Sequence, residues 1–472
     1  MPTPTRRALA FGAAGATLLA AMPTRDAEAA DRADRRGGGP GGPGGARFVA
    51  AWAASVQGPY PVGNPTAQPD LRFAFPDANA GARDQTFRLI VKPDIFGRQA
   101  RIRLSNAFGA KAITFDDVYV GLQNSGAAVV AGTSQKVAFA GQNSVTVEPG
   151  KWVTSDPIPL AFVRHPADPL LVGRKLAVSF HVAGETGPMT WHAKALTTSF
   201  VTRPGAGSAS ADEGEQKFPF STASWYFLDA VEMTAAPGTR VVVGFGDSIT
   251  DGTASTINGD DRWPDVLSRR LKAARIPAVV VNAGIGGNQV IGPPTYPPPF
   301  AGGPSALSRL DRDVASLPGV THVIWLEGIN DFSRNGNATA EAVIAGYRQG
   351  VAALRAKIPG VKVIGATLPS ALGSTSAAHG FPEQDEKRKA LNEFIRKGGV
   401  FDGVADFDSV TLDAATGGMK PEFVPESSTG GPGDKLHPNR AGYAAMGGVI
   451  DLALLGGVGA QQPPRQRHRR GP

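Results

Sequence analysis

RVVVGFGDSIT, residues 240–250, opens on a β-branched run and closes on Gly246-Asp247-Ser248. An apolar run without polar alternation suits a strand covered on both faces, and the Gly-Asp-Ser that follows suits a strand giving way to a helix. The same grammar repeats downstream. Strands are expected at Arg240–Phe245, Ala278–Asn282, His322–Leu326, Val361–Ala366 and Gly403–Asp406, separated by helices near Trp263–Ala274, Ser305–Leu317, Thr339–Lys357 and Glu383–Lys397. A last helix is expected after Pro438, because proline is favoured in a first helical turn. Five strands with intervening helices predict an α/β fold, a flavodoxin-like, doubly wound parallel sheet, over residues 237–458.

Upstream the period changes to two. In Gln99–Ser105 (QARIRLS), Ala100, Ile102 and Leu104 face one side and Arg101 and Arg103 the other. Phe87–Val91, Ile113–Val120, Lys136–Ala140, Ser144–Glu148, Leu176–Val182 and Ser199–Thr202 have similar lengths and Gly, Pro or Asn at their flanks. Many short strands without helical spacing predict an antiparallel β-sandwich domain over residues 47–236.

Two domains also suit a 472-residue chain, and 42% hydrophobic with 19% charged residues is the composition of a folded protein. Of the net charge of +7, six charges lie in residues 1–46 and 465–472, which leaves +1 for residues 47–464. A nearly neutral body argues against a nucleic-acid groove. The end QRHRRGP has no apolar residue interleaved, so residues 459–472 are expected to be a basic, solvated tail. Cysteine is absent, which excludes disulfides, a thiol nucleophile and thiolate metal sites.

Arg6-Arg7, the apolar run Ala8–Met22 and Ala27-Glu28-Ala29 are expected to form a signal peptide over residues 1–29, with a pattern that resembles a twin-arginine signal. The apolar run is too short to span a bilayer, so a periplasmic or extracellular location without a stable membrane span is expected. RRGGGPGGPGG places a Gly/Pro-rich linker over residues 30–46.

In a doubly wound sheet, ligands bind beyond the carboxyl ends of the strands. The residues there are Gly246-Asp247-Ser248, Gly284-Ile285-Gly286-Gly287-Asn288, Gly328-Ile329-Asn330-Asp331 and, after the fifth strand, Asp434-Lys435-Leu436-His437. A serine hydroxyl is a weak nucleophile until a base takes its proton. Among the seven histidines, His437 has a carboxylate three residues before it, close enough for Asp434 to fold back onto the ring. Ser248, His437 and Asp434 are therefore expected to act as nucleophile, general base and orienting acid. The non-catalytic alternatives are a helix N-cap for Ser248 and a capping turn for Asp434 and His437. Asp247, Asp251 and Asp331 lie on the same loops, but without histidines at ligand spacing they read as caps rather than a metal site.

These four blocks, in this order, resemble the SGNH/GDSL hydrolase family over residues 240–455. AAWAAS (50–55), IRLSNAFG (102–109) and TWHAKALTTSF (190–200) are similar to the β-rich N-terminal region of some bacterial members. The resemblance implies an oxyanion hole made by the backbone N–H of Ser248, the N–H of Gly287 and the side-chain amide of Asn330. Gly287 is preferred to Gly286 because it directly precedes Asn288, and the alternatives are a plain turn at Gly287 and a turn residue at Asn330.

The loop 292–303, with five prolines, Tyr296 and Phe300, leaves the sheet at the same end and is expected to wall an acyl or leaving-group pocket; the alternative is a rigid surface loop. The expected function is hydrolysis of a carboxylic ester, short-chain or acetyl, in a small molecule or polysaccharide, by an acyl-enzyme route that needs no metal or organic cofactor. A non-catalytic carbohydrate-binding or surface module built on Trp52, Trp191 and Trp225, and acyl transfer by the same triad, are the alternatives.

Overall fold

The computed structural model describes residues 47–292 and 299–457. The expected signal peptide, linker and basic tail, and Tyr296, lie outside the described residues. All described residues belong to one compact unit, Ala46–Pro472.

Arg240–Gly246 forms the second position of a five-stranded parallel sheet whose order is Ala278–Gly284, Arg240–Gly246, Val320–Leu326, Lys362–Ala366, Gly403–Ala405. In chain order this is 2-1-3-4-5, so the winding reverses beside the strand that opens it. Val241, Val242, Val243 and Phe245 are all fully buried, which explains why this strand shows no alternation. Gly246 ends in register with Gly284 on one side and Leu326 on the other, so the loops after these three strands leave from one level.

The expected helices form at Trp263–Ala273, Ala340–Lys357 and Pro382–Lys397, and a last one at Arg440–Val449. Asn439 caps this last helix by accepting from the N–H groups of Ala441 and Gly442. The helix expected at Ser305–Leu317 is not continuous. It is α-helical over Ala306–Leu310 and then widens to a π turn at Asp311–Ala315. Ser316 Oγ occupies the carbonyl of Arg312 at 2.6 Å while Ser316 N donates to the Asp311 carbonyl at 2.8 Å, so a side chain competes with the regular ladder here.

The first half is an antiparallel sandwich of two sheets. One runs Arg47–Ala53, Leu228–Ala235, Gln99–Ser105, Trp152–Thr154; the other runs Phe220–Thr222, Ser199–Val201, Arg83–Val91, Leu176–Glu185, Ile113–Leu122, Gln135–Lys136. Phe87, Phe115, Phe180 and Phe227 interlock between them, with ring centroids 5.3–6.3 Å apart. The strand expected at Lys136–Ala140 stops at Lys136. Asp156 accepts from the N–H groups of Ala140 and Gly141 at 3.1 and 2.7 Å, holding a turn in which both residues have positive φ.

The sheet that begins with Arg47–Ala53 is covered on both sides. Ala51, Trp52, Val231 and Met233 join the sandwich core, whereas Val49, Ala50, Ala53 and Ala230 join the core of the parallel sheet. Arg103 crosses the seam, pairing with the buried Asp229 at 2.7 Å and donating to Ser316 Oγ at 2.8 Å. Trp52, Trp191 and Trp225 are buried, and Trp52 packs edge-on against Trp225 at 4.8 Å, so none offers an exposed platform for a sugar.

Candidate active site

The turn after Gly246 is built for close approach. A Cβ on Gly246 would stand 2.1 Å from the Leu326 carbonyl, so only glycine lets this strand end so tightly against its neighbour. Asp247 stays extended and its carboxylate accepts from Ile249 N at 2.9 Å, which starts the short helix Ser248–Asp251; Gly252, at φ 101°, ends it. Ser248 thus sits at the first position of a helix, at the carboxyl end of the sheet. The N-cap is Asp247, not Ser248, which leaves the serine hydroxyl free for other work.

Ser248 Oγ lies 2.8 Å from His437 Nε2, across 189 residues of sequence. His437 Nδ1 lies 2.6 Å from Asp434 Oδ2. Asp434 Oδ1 accepts from the N–H groups of Leu436 and His437 at 2.9 Å each, with Lys435 in the left-handed region at φ 58° to tighten the turn. These contacts make Nδ1 the donor to the carboxylate and leave Nε2 to accept from the serine hydroxyl. Burial alone would raise the pKa of Asp434, but the hydrogen bond and charge of His437 and the two N–H groups hold it well below the usual carboxylate range.

The expected amide donors converge on the same pocket. Gly286 N–H is taken by Asp251 Oδ2 at 3.0 Å, whereas Gly287, at φ 86°, donates to no acceptor among the described residues. Asn330 Nδ2 donates to the Asn288 carbonyl at 2.9 Å, so its amide group is held against the same loop. Ser248, Gly287, Asn330, Asp434 and His437 all line one cavity of about 330 Å³, and Phe300 forms part of its wall.

Residues 245–445 match the GDSL-like Lipase/Acylhydrolase family. The chain carries a domain of this family. Solved structures similar to it include a carbohydrate acetylesterase family member from Sinorhizobium meliloti, 21% identical over 46% of this chain and 99% of that one, with a TM-score of 0.36. The aryl esterase of M. smegmatis is 18% identical over 46% of this chain and 100% of that one, with a TM-score of 0.36. No protein with a curated description matches the chain.

The acylhydrolase domain does not wall its pocket alone. Asn64 and Lys194, both from the sandwich, line it, and Asn64 Nδ2 donates to the Gly286 carbonyl at 2.8 Å. Gln57 Nε2 donates to the Ala301 carbonyl at 2.7 Å, tying the loop that carries Phe300 to the same half. Asp251 also reaches across: its Oδ1 lies 3.0 Å from Nε2 of the buried His192, while its Oδ2 holds Gly286. Asp331 spends its carboxylate on the N–H groups of Val290 and Ile291 at 2.8 and 3.1 Å. Sequence reasoning missed Asn64, Lys194 and His379 as pocket residues. Lys194 stood inside TWHAKALTTSF, but no local spacing tied it to the serine.

Behind the acylhydrolase pocket, the fully buried Arg309 ties the strand ends together. It donates to the carbonyls of Gly246 and Ala283 at 2.8 Å each, to Asn288 Oδ1 at 2.7 Å, and to Asp313 at 3.0 Å. Burial pushes Glu327 up to about 7 against the opposing pull of Arg309, and pushes Asp331 up to about 7 against its two backbone donors. On the opposite wall, Gln384 pins His379. Its Oε1 accepts from Gly380 N and its Nε2 donates to His379 Nδ1, both at 2.8 Å, so a neutral His379 carries its proton on Nε2. Burial, with the charge of His437 second, lowers the His379 pKa to about 4.

Proposed function

We propose that the domain is an exported serine esterase that cleaves short-chain or acetyl esters through an acyl-enzyme. The observation that carries this reading is the unbroken contact from Ser248 Oγ through His437 to Asp434, at 2.8 and 2.6 Å. His437 takes the serine proton as Oγ attacks the ester carbonyl, then returns it to the departing alcohol. The N–H groups of Ser248 and Gly287 and the amide of Asn330 stabilise the oxygen that becomes negative. Water, activated by the same histidine, releases the acid.

The pocket supports a small acyl group on a hydroxylated alcohol. Its volume of about 330 Å³ falls at the lower end for small-molecule sites, and Asn64, Gln289, Ser333, Asn335 and Ser376 supply polar walls. Export rests on the Arg6-Arg7 pattern and the apolar run behind it.

Hydrolysis of 4-nitrophenyl acetate by the purified chain and by Ser248→Ala tests the reading. The variant is expected to lose about 10³-fold or more in kcat while keeping its fold by circular dichroism. Equal rates for the two proteins would remove the proposal.

A further inference from the structure

The sandwich places one charge in the catalytic pocket that the hydrolytic steps do not use. Lys194 is 4% exposed, yet it lines the cavity beside Asn64, Ser248 and Gly287. Its Nζ lies 3.0 Å from the position a Cβ on Gly286 would take, so the ammonium stands against the loop that presents Gly287. It donates to Thr253 Oγ1 and to nothing else among the described residues, which leaves two of its three donors unused. No carboxylate among the described residues stands at ion-pair distance from it.

The acids whose charge it feels are already engaged. Asp251 holds His192 and Gly286, Asp434 holds His437 and two backbone N–H groups, and Asp247 caps Ile249. Arg262 adds a second positive charge to the neighbourhood. Burial lowers the pKa of Lys194, as expected for a cation held from water without a direct partner. Unused N–H donors and unmatched positive charge in a pocket wall complement an anionic oxygen group.

We propose that Lys194 binds a carboxylate carried by the substrate close to the scissile ester, so that the pocket selects esters of acidic compounds over neutral ones. The proposal rests on the assignment of Ser248 as the nucleophile of the same pocket. The carboxylate sits on either the acyl or the alcohol side, and two substrate pairs separate these. Mono-4-nitrophenyl succinate against 4-nitrophenyl acetate places it on the acyl side, and 4-acetoxybenzoate against phenyl acetate places it on the alcohol side.

With each kcat/KM divided by the hydroxide-catalysed rate of the same ester, the intact chain is expected to favour the acidic member of one pair. Lys194→Met is expected to reduce that preference about tenfold or more, as loss of a charged hydrogen bond would, and Lys194→Arg to retain most of it. No preference in either pair, or one unchanged in Lys194→Met, overturns the proposal. Should Lys194→Met fail to fold, inhibition of the intact chain decides. Competitive inhibition by benzoate at concentrations where benzamide has no effect supports the proposal, and equal inhibition overturns it. Ser248→Ala separates the two claims: if it abolishes hydrolysis while the Lys194 results are negative, the nucleophile stands and only the anion site falls.

Discussion

Asp434 does three things with one carboxylate: it orients His437, fixes which ring nitrogen carries the proton, and folds its own turn through the N–H groups of Leu436 and His437. Asp434→Asn should keep a hydrogen-bonding group of the same shape but favour the wrong tautomer, lowering kcat by about 10⁴-fold with KM little changed. Steady-state kinetics on 4-nitrophenyl acetate check this, and a variant within tenfold of the parent would contradict the role. Arg309 is the residue on which the strand ends depend, since one guanidinium donates to the carbonyls of Gly246 and Ala283, to Asn288 and to Asp313. Arg309→Met strands the buried Glu327 beside an apolar side chain and leaves Asp313 to Arg312 alone, and denaturant melts should show a loss of about 3–5 kcal/mol. Ser248, Asp434 and His437 were legible in the sequence because each stands at an element end with its partner or turn close by. Lys194 and His379 were not, because what makes them pocket residues is contact with loops far from them in the chain.

The strand Arg240–Gly246 and its turn were the most readable elements. Continuous burial explains the run Val241–Val243, and the turn at Gly246 follows from the space left beside Leu326. Gly246→Ala should be destabilising by more than an ordinary glycine replacement, since a methyl cannot fit 2.1 Å from the Leu326 carbonyl. A drop in melting temperature together with lost activity checks it, whereas a variant with unchanged melting would mean the strands separate easily here. Less readable were the ends of elements set by side chains from elsewhere. Asp156 closes the turn at Ala140 and Gly141, and Ser316 breaks the regular ladder after Leu310. Neither carries a local period. The strand Leu228–Ala235 hides for another reason: a register shift between Leu228 and Ala230 breaks its alternation, which runs regularly only from Val231 to Ala235.

At the scale of the whole molecule, the sandwich completes the site as well as flanking it. His192 and Asn64 brace the loop of Gly286 and Gly287 from outside the acylhydrolase domain. The shared interior also sets a pH response. Glu327 and Asp331 have folded pKa values of about 7, above the ordinary carboxylate value, so the folded chain holds their protons longer than the unfolded chain does. Their effect on stability is therefore best at low pH and worsens as pH rises from about 4 to 7. The depressed Asp434 and His379 work the other way: Asp434 only below the ordinary carboxylate range, and His379 between about 4 and 6.5, where one imidazole offsets part of the effect of the two carboxylates. Melting temperature should accordingly fall between pH 5 and pH 8, and Glu327→Gln should flatten that fall; an equally steep fall in the variant would contradict the assignment.

The proposed catalytic line exists only when loops 189 residues apart meet in the folded chain. Treatment with diethyl 4-nitrophenyl phosphate followed by peptide mass spectrometry tests that meeting most directly. One diethyl phosphoryl group per chain is expected on the peptide containing Ser248, with labelling abolished in His437→Ala. Labelling on another residue, or labelling of Ser248 that persists undiminished without His437, would contradict it.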